Sequence, residues 1–156
     1  MNNKTNVTTK LRILQINQNK SLTAHLELIN DLLAAHWGVV LVQEPYITFF
    51  SSIRTPNQFI AVTPTSYTDI VSPVWSIIWT NSALSTNNWK ILDIPDMNDI
   101  VAIELNGRYG TIKIFGIYNA DENLLSLSIL RRYMHSNQTK AHGQQAQHIL
   151  WGRDFN

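Results

Sequence analysis

The chain contains no cysteine, only six glycines and five prolines in 156 residues, and no excess of either charge. Without cysteine there can be no disulfide, thiolate metal site or sulfur nucleophile. The scarce glycines and prolines fall singly, as turn residues do, so no flexible linker or low-complexity segment is expected. A net charge of +1 gives no basic field able to hold a polyanion by counterion release alone. Any nucleic-acid partner would need local charge or a metal ion. No apolar run approaches the roughly 18 residues of a membrane span, so no membrane association is expected. Met1 to Lys10 are polar and rich in Thr and Asn, unlike a secretory signal. The sequence therefore predicts a flexible tail over residues 1–10 and an intracellular rather than secreted protein.

What is present is ordinary for a folded domain: 44% apolar residues, 15% charged, five Trp and five Tyr. Residues 11–156 read as one α/β domain. Leu11 to Ile16 is a short buried strand that ends in the polar loop Asn17-Gln18-Asn19-Lys20. Ser21 is placed as an N-cap. Leu22, Leu26, Ile29 and Leu33 follow at helical spacing, and the helix is expected to stop near His36-Trp37-Gly38, with Gly38 in a left-handed turn. Val39 to Val42 is a second buried strand, closed by Gln43-Glu44-Pro45 because proline cannot continue a central strand. The middle reads as antiparallel strands at Phe59–Val62, Val74–Trp79, Trp89–Leu92, Ile100–Leu105 and Thr111–Ile117. Asn106-Gly107, with Arg108-Tyr109-Gly110 after it, lies between the last two and is a hairpin signal. The end repeats the opening: a strand to Tyr118, a helix capped by Asp121 or Asn123 that carries Leu127, Leu130 and Tyr133, and a last strand from His148 to Trp151.

Each strand–helix–strand unit should be right-handed, with both carboxyl ends of its strands on one rim. Two sheets packed face to face can bring the two rims together. That gathers Asn17, Glu44, Tyr118, Asp154 and Asn156. The set has chemical sense. Magnesium takes oxygen ligands, keeps waters, and uses one or two carboxylates together with substrate phosphate. Glu44 with the Asn17 amide suits such a site. Asp154 can orient or deprotonate a water, and amides and a tyrosine hydroxyl can donate to developing negative charge. Taken singly, each residue has a plainer reading: Glu44 as a solvated rim residue, Asn17 as a turn cap, Tyr118 as packing.

Four segments in order carry a resemblance: Leu14-Gln15-Ile16-Asn17 with Gln18-Asn19-Lys20-Ser21, then Val42-Gln43-Glu44-Pro45, then Gly116-Ile117-Tyr118-Asn119, then Trp151-Gly152-Arg153-Asp154-Phe155-Asn156. Together they resemble the endonuclease/exonuclease/phosphatase superfamily, in the branch of non-LTR retrotransposon (apurinic-type) endonucleases. The resemblance runs from about Leu11 to Asn156. It implies a deoxyribonuclease I-like four-layer α/β/β/α sandwich, of which this chain would be the N-terminal part. It also implies Mg2+ (or Mn2+) as cofactor, DNA as substrate, a nuclear site of action, and nicking that leaves a 3′-hydroxyl. By the same resemblance Glu44 is the main metal ligand, with Asn17 beside it. Tyr118 holds the scissile phosphate, Asp154 activates or positions water, and Asn156 stabilises the pentacovalent state.

The sequence departs from the family pattern twice. Arg153 stands where the family has Gly directly before the Asp, with Gly152 one position earlier. The family's later strands, second aspartate and Ser-Asp-His segment do not occur among these residues. The alternative to an active nuclease is therefore a catalytically inactive, truncated transposon remnant. A phosphoesterase for another substrate is a further alternative. Such a truncation would expose sheet edges, so poor solubility or self-association is expected. His25, His36, His135, His142 and His148 lie outside any Ser-Asp-His context, and each reads as a surface or capping residue.

Overall fold

The computed structural model describes residues 10–31, 36–48, 52–67, 73–95, 97–107, 110–119, 125–138 and 147–153. Residues 1–9 of the expected tail lie outside this set, as do Asp121, Asn123, His142, Asp154, Phe155 and Asn156.

The order of elements is β1 (Ile13–Asn17), α1 (Leu22–Asn30), β2 (Val39–Gln43), β3 (Phe59–Val62), β4 (Ser76–Asn81), β5 (Trp89–Leu92), β6 (Ile100–Gly107), β7 (Gly110–Ile117), α2 (Leu125–Gln138) and β8 (Gln147–Arg153). They form two four-stranded sheets, ordered β1-β2-β4-β3 and β5-β6-β7-β8. Among the described residues only β1 with β2 and β7 with β8 pair in parallel, and each of these pairs flanks a helix in the chain. The other ladders are antiparallel.

Strand alternation builds four layers from this order. On β2 and β4, Val40, Val42, Ile77 and Trp79 face α1, where they pack with Leu28 and Ile29. Their neighbours Val39, Leu41 and Ile78 point the other way, onto Val101, Ile103, Leu105 and Ile114 of the second sheet. On β6 and β7, Ile100, Ala102, Phe115 and Ile117 face α2, meeting Leu130, Ile129, Tyr133 and Met134. The arrangement is helix, sheet, sheet, helix, with three apolar interfaces.

Several expectations are corrected in detail. α1 ends at Asn30 with an extended Asp31 as its C-cap, well before His36-Trp37-Gly38. Gly38 is not left-handed; among described residues only Gly110 is a positive-φ glycine, at 117°. A Cβ at 38 would meet only the tip of the exposed Leu11 side chain, 2.8 Å away at Cδ1. Strands β6 and β7 pair antiparallel as expected, but Asn106 and Gly107 belong to β6, which runs two residues past the expected Leu105 to pair Gly107 with Gly110. Residues 108 and 109 lie outside the described set. At the far edge, β8 leaves Ile149 and Trp151 exposed, at 41% and 48%. Among the described residues no helix is long and apolar enough to cross a membrane.

Candidate active site

The registers fix which residues share a rim. Asn17 pairs with Gln43, Gln43 with Ser76, Ile117 with Ile100, and Ile117 with Arg153. The carboxyl ends of β1, β2, β7 and β8 therefore emerge together. The two sheets are tied just beneath this edge by side chains of the first reaching backbone of the second. Gln15 Nε2 donates to the Arg153 carbonyl at 2.8 Å, and Gln43 Nε2 to the Gly152 carbonyl at 3.4 Å.

Glycine lets the sheets approach this closely. A Cβ on Gly152 would lie 2.3 Å from Leu41 Cδ1 and 3.0 Å from Gln15 Oε1, and one on Gly116 would lie 2.8 Å from Ser76 Oγ. The β7–β8 ladder runs unbroken from Thr111↔Gln147 to Ile117↔Arg153. Gly152 is thus the residue between the sheets, and Arg153 is the last rung before Asp154.

At the rim itself, Asn17 Nδ2 donates to Glu44 Oε1 at 3.1 Å. The amide is oriented by its other end, because Asn17 Oδ1 accepts from the Asn19 N–H at 2.7 Å. An Asn that accepts from the N–H two residues on makes an Asx turn, the local reason for asparagine at a strand end. Backbone bonds then stitch the loops together. Gln18 N–H donates to Gln43 O, Lys20 N–H to Glu44 O, Ser21 N–H to Gln18 O, and Glu44 N–H to Trp75 O, each at 2.8–2.9 Å.

Three non-glycine residues have positive φ among those described, and all three lie here: Asn19 at 47°, Lys20 at 53° and Glu44 at 45°. Asparagine tolerates this region; lysine and glutamate do so at a cost of about 1–2 kcal/mol each. Such strain persists where the surroundings over-determine it, which the four backbone bonds above do.

A ladder of rings rises beside Glu44. Lys20 Nζ stands 3.7 Å from the centroid of the Trp75 ring. Trp75 stacks on Tyr118 with centroids 5.0 Å apart and planes 7° from parallel. Tyr118 N–H donates to the Asp99 carbonyl at 2.8 Å. Burial pushes the Asp99 carboxyl above its ordinary range, opposed by a hydrogen bond from Ser126 Oγ at 3.1 Å.

Behind the loop lies a buried polar pair that sequence reasoning misplaced. His25, expected at the surface, is 0% exposed. Its Nδ1 lies 3.0 Å from Gln18 Oε1, which also accepts from the Tyr46 N–H at 3.3 Å. Trp79 meets its ring edge-on at 5.7 Å, and Tyr46 lies 5.9 Å away. Desolvation lowers the His25 pKa. A hydrogen bond to the Arg54 backbone opposes this, and the Arg54 charge adds to it. His36, His135 and His148 are exposed as expected.

Among solved structures, the endonuclease domain of TRAS1, a telomere-specific non-LTR retrotransposon, matches with a TM-score of 0.63 and 20% identity, over 93% of this chain and 58% of that one. Humanized D. rerio TDP2 matches with a TM-score of 0.54 and 12% identity, over 94% of this chain and 63% of that one. The fold is deoxyribonuclease I-like. No family model and no curated protein sequence matches the chain. The chain spans less than two thirds of either solved chain.

Within this deoxyribonuclease I-like frame, the structure brings Asn17 and Glu44 into contact and sets Tyr118 on the same rim through Trp75. Asp154, directly after Arg153 in the sequence, and Asn156, three residues after it, lie outside the described residues. Among the described residues no group of three or more His, Asp or Glu is placed to hold a metal ion. Sequence reasoning missed Trp75, Lys20 and the Gln18–His25 pair as parts of the rim. Only Lys20 left a sequence signal, as the sole cation in the loop that follows β1.

Proposed function

We propose that the chain is a metal-dependent phosphodiesterase that nicks DNA, of the kind carried by non-LTR retrotransposons. The observation that carries this reading is the meeting of Asn17 with Glu44 at 3.1 Å, where β7 delivers Tyr118 and β8 ends just before Asp154. The endonuclease domain of TRAS1, similar in fold, supports it.

The Glu44 carboxylate fits magnesium or manganese, hard cations that take one or two carboxylates and keep positions for water and phosphate. Glu44 would hold the ion, which when bound supplies Lewis acidity at a phosphoryl oxygen. Asn17 acts on Glu44 first. Its Nδ2–H fixes the carboxylate through Oε1, while its Oδ1 accepts from the Asn19 N–H. Tyr118 donates from its hydroxyl to a phosphate oxygen. Asp154 takes the proton of the attacking water, and Asn156 donates to the charge that gathers on the pentacovalent phosphorus. The water oxygen bonds to phosphorus, the P–O3′ bond breaks, and the 3′ oxygen leaves as a hydroxyl after taking a proton from solvent.

Supercoiled plasmid incubated with the protein and magnesium tests this. Nicked circles are expected, lost in EDTA and reduced about 100-fold or more in Glu44→Gln, with the circular dichroism unchanged. A folded protein that leaves plasmid supercoiled, beside an active nuclease control, rejects the proposal. One observation favours a second reading, an inactive member of the fold. Arg153 ends β8 where the family pattern has glycine, and it brings a large cation to the position before Asp154. Arg153→Gly gaining activity would support that reading.

A further inference from the structure

His25 and Gln18 are buried polar side chains that the nicking chemistry above does not use. Burying them is costly. Gln18 Nε2 and the neighbouring Trp79 Nε1 find no hydrogen-bond partner among the described residues. An apolar pair would pack against Trp79 without that cost. The pair therefore answers to the one oxygen it presents, Gln18 Oε1, which accepts from both His25 and the Tyr46 N–H.

That oxygen holds the chain just past Glu44. Glu44 sits at a φ of 45°, and a residue before proline is confined further by the ring. Pro45 has no N–H, so the Tyr46 N–H is the first backbone donor beyond Glu44. Its bond to Gln18 Oε1 at 3.3 Å closes the far side of a segment whose near side is held by Trp75 O and the Lys20 N–H. The Gln18 main chain is fixed separately: its N–H donates to Gln43 O, and its carbonyl accepts from the Ser21 N–H. Its side-chain amide has no such restraint, and a half-turn would present nitrogen to the Tyr46 N–H. His25 supplies the restraint. It is the fourth residue of α1, whose side chains lean toward the start of the helix, and its Nδ1 lies 3.0 Å from Oε1. Because the Tyr46 N–H needs an acceptor, the shared atom is oxygen, and the ring proton facing it is thereby assigned to Nδ1.

We infer that His25 is a positioning residue for the metal site: acting through Gln18, it sets the path of the loop after β2 and with it the Glu44 carboxylate. Gln18 follows Asn17 directly, so the same clamp steadies the amide that donates to Glu44 Oε1. The inference deepens the proposed nuclease reading and rests on it for the role of Glu44 as metal ligand. It also explains why two polar side chains lie in an otherwise apolar layer between α1 and the first sheet.

The test separates metal binding from cleavage. Full-length protein is titrated with manganese chloride in the absence of DNA, and free Mn2+ is read by electron paramagnetic resonance. Glu44→Gln marks the part of the signal that belongs to the site. His25→Phe keeps a ring and removes the donor; Gln18→Met keeps the length and removes the oxygen. Each is expected to weaken Mn2+ binding about tenfold. The double variant is expected to bind no more weakly than either, because both changes break one path. His25→Asn, whose amide nitrogen can stand in for Nδ1, is expected to restore most of the affinity. Circular dichroism confirms that the variants compared are folded. In plasmid nicking, the Mn2+ concentration for half-maximal rate should rise in His25→Phe while the rate at saturating Mn2+ holds, a split that general damage to the fold would not give. If both folded single variants bind Mn2+ as the parent does, while the parent nicks plasmid, the positioning role is refuted and the nuclease reading stands. Additive losses in the double variant refute the route through Gln18. If Mn2+ affinity depends on Glu44 and His25 but the parent does not nick, the positioning role survives and the nuclease reading fails. A parent that binds no Mn2+ through Glu44 overturns the inference.

Discussion

At Asn19 and Lys20 the chain takes a left-handed path without glycine, and the two residues differ in why they can. Asn19 sits in an Asx turn closed by Asn17 Oδ1, and asparagine suffers least there among residues with a Cβ. A β-branched replacement suffers most. Asn19→Val is expected to lower stability by about 1–2 kcal/mol, read from the urea midpoint. His25 allows a second prediction. Burial holds its folded pKa below the ordinary 6.5, so the folded state resists protonation while the unfolded chain accepts a proton. The sign follows: stability is fully present above 6.5 and falls as pH drops through it, until folded His25 also protonates. Urea midpoints at about pH 7.5 and about pH 5.5 should differ for the parent, and differ less for His25→Phe. The groups facing His25 are Tyr46, Trp79 and Gln18, with Arg54 the nearby charge. Equal pH dependence in parent and variant would contradict the assignment.

Among elements, the parallel pairs were the most legible and the helix ends the least. Apolar runs at Leu11–Ile16 and Val39–Val42 around an amphipathic stretch admit little but a strand–helix–strand unit. The observed register, Ile13↔Val39 to Asn17↔Gln43, follows from it. The stop of α1 was misread because Leu33 continues the helical spacing, whereas Asp31 already adopts an extended conformation. The hairpin is present, but β6 runs two residues past its expected end at Leu105. Asn-Gly is a strong turn signal, but Leu105, Asn106 and Gly107 find ladder partners in Ile112, Thr111 and Gly110, and pairing outweighs the local preference. At β8 the decisive residue is Gly152, wedged between Leu41 and Gln15. Gly152→Ala is expected to cost about 1–3 kcal/mol through overpacking. It should also loosen the Gln15–Arg153 bond that sets the end of the strand. Chemical denaturation measures the first effect. Lost hydrogen-exchange protection at the β8 end would report the second.

In the whole molecule, the middle interface couples everything. Leu41 and Ile78 of the first sheet and Ile103 and Ile114 of the second form one buried cluster. A truncation there weakens both sheets at once. Ile103→Ala is expected to lower stability by about 2–5 kcal/mol. The loss should appear equally in near-ultraviolet and far-ultraviolet circular dichroism. A change confined to one probe would mean that the sheets fold independently. The same interface aligns the candidate site, since the Glu44 rim belongs to one sheet and the rim of Tyr118 and Arg153 to the other.

Alone, the sequence determined the buried runs of β1 and β2, the alternation of β6, the two strand–helix–strand units and the oxygen-bearing residues expected at their ends. These are local properties, set by side-chain periodicity and by where proline and asparagine interrupt a strand. Tertiary structure decided what the ends do to one another. It turned the Asn17 amide toward Glu44, buried His25 against Trp79, and set Lys20 over Trp75. Those contacts join residues far apart in the chain, and no periodicity encodes them. They arise only once two twisted sheets have packed and their edges must be closed by whichever loops lie there.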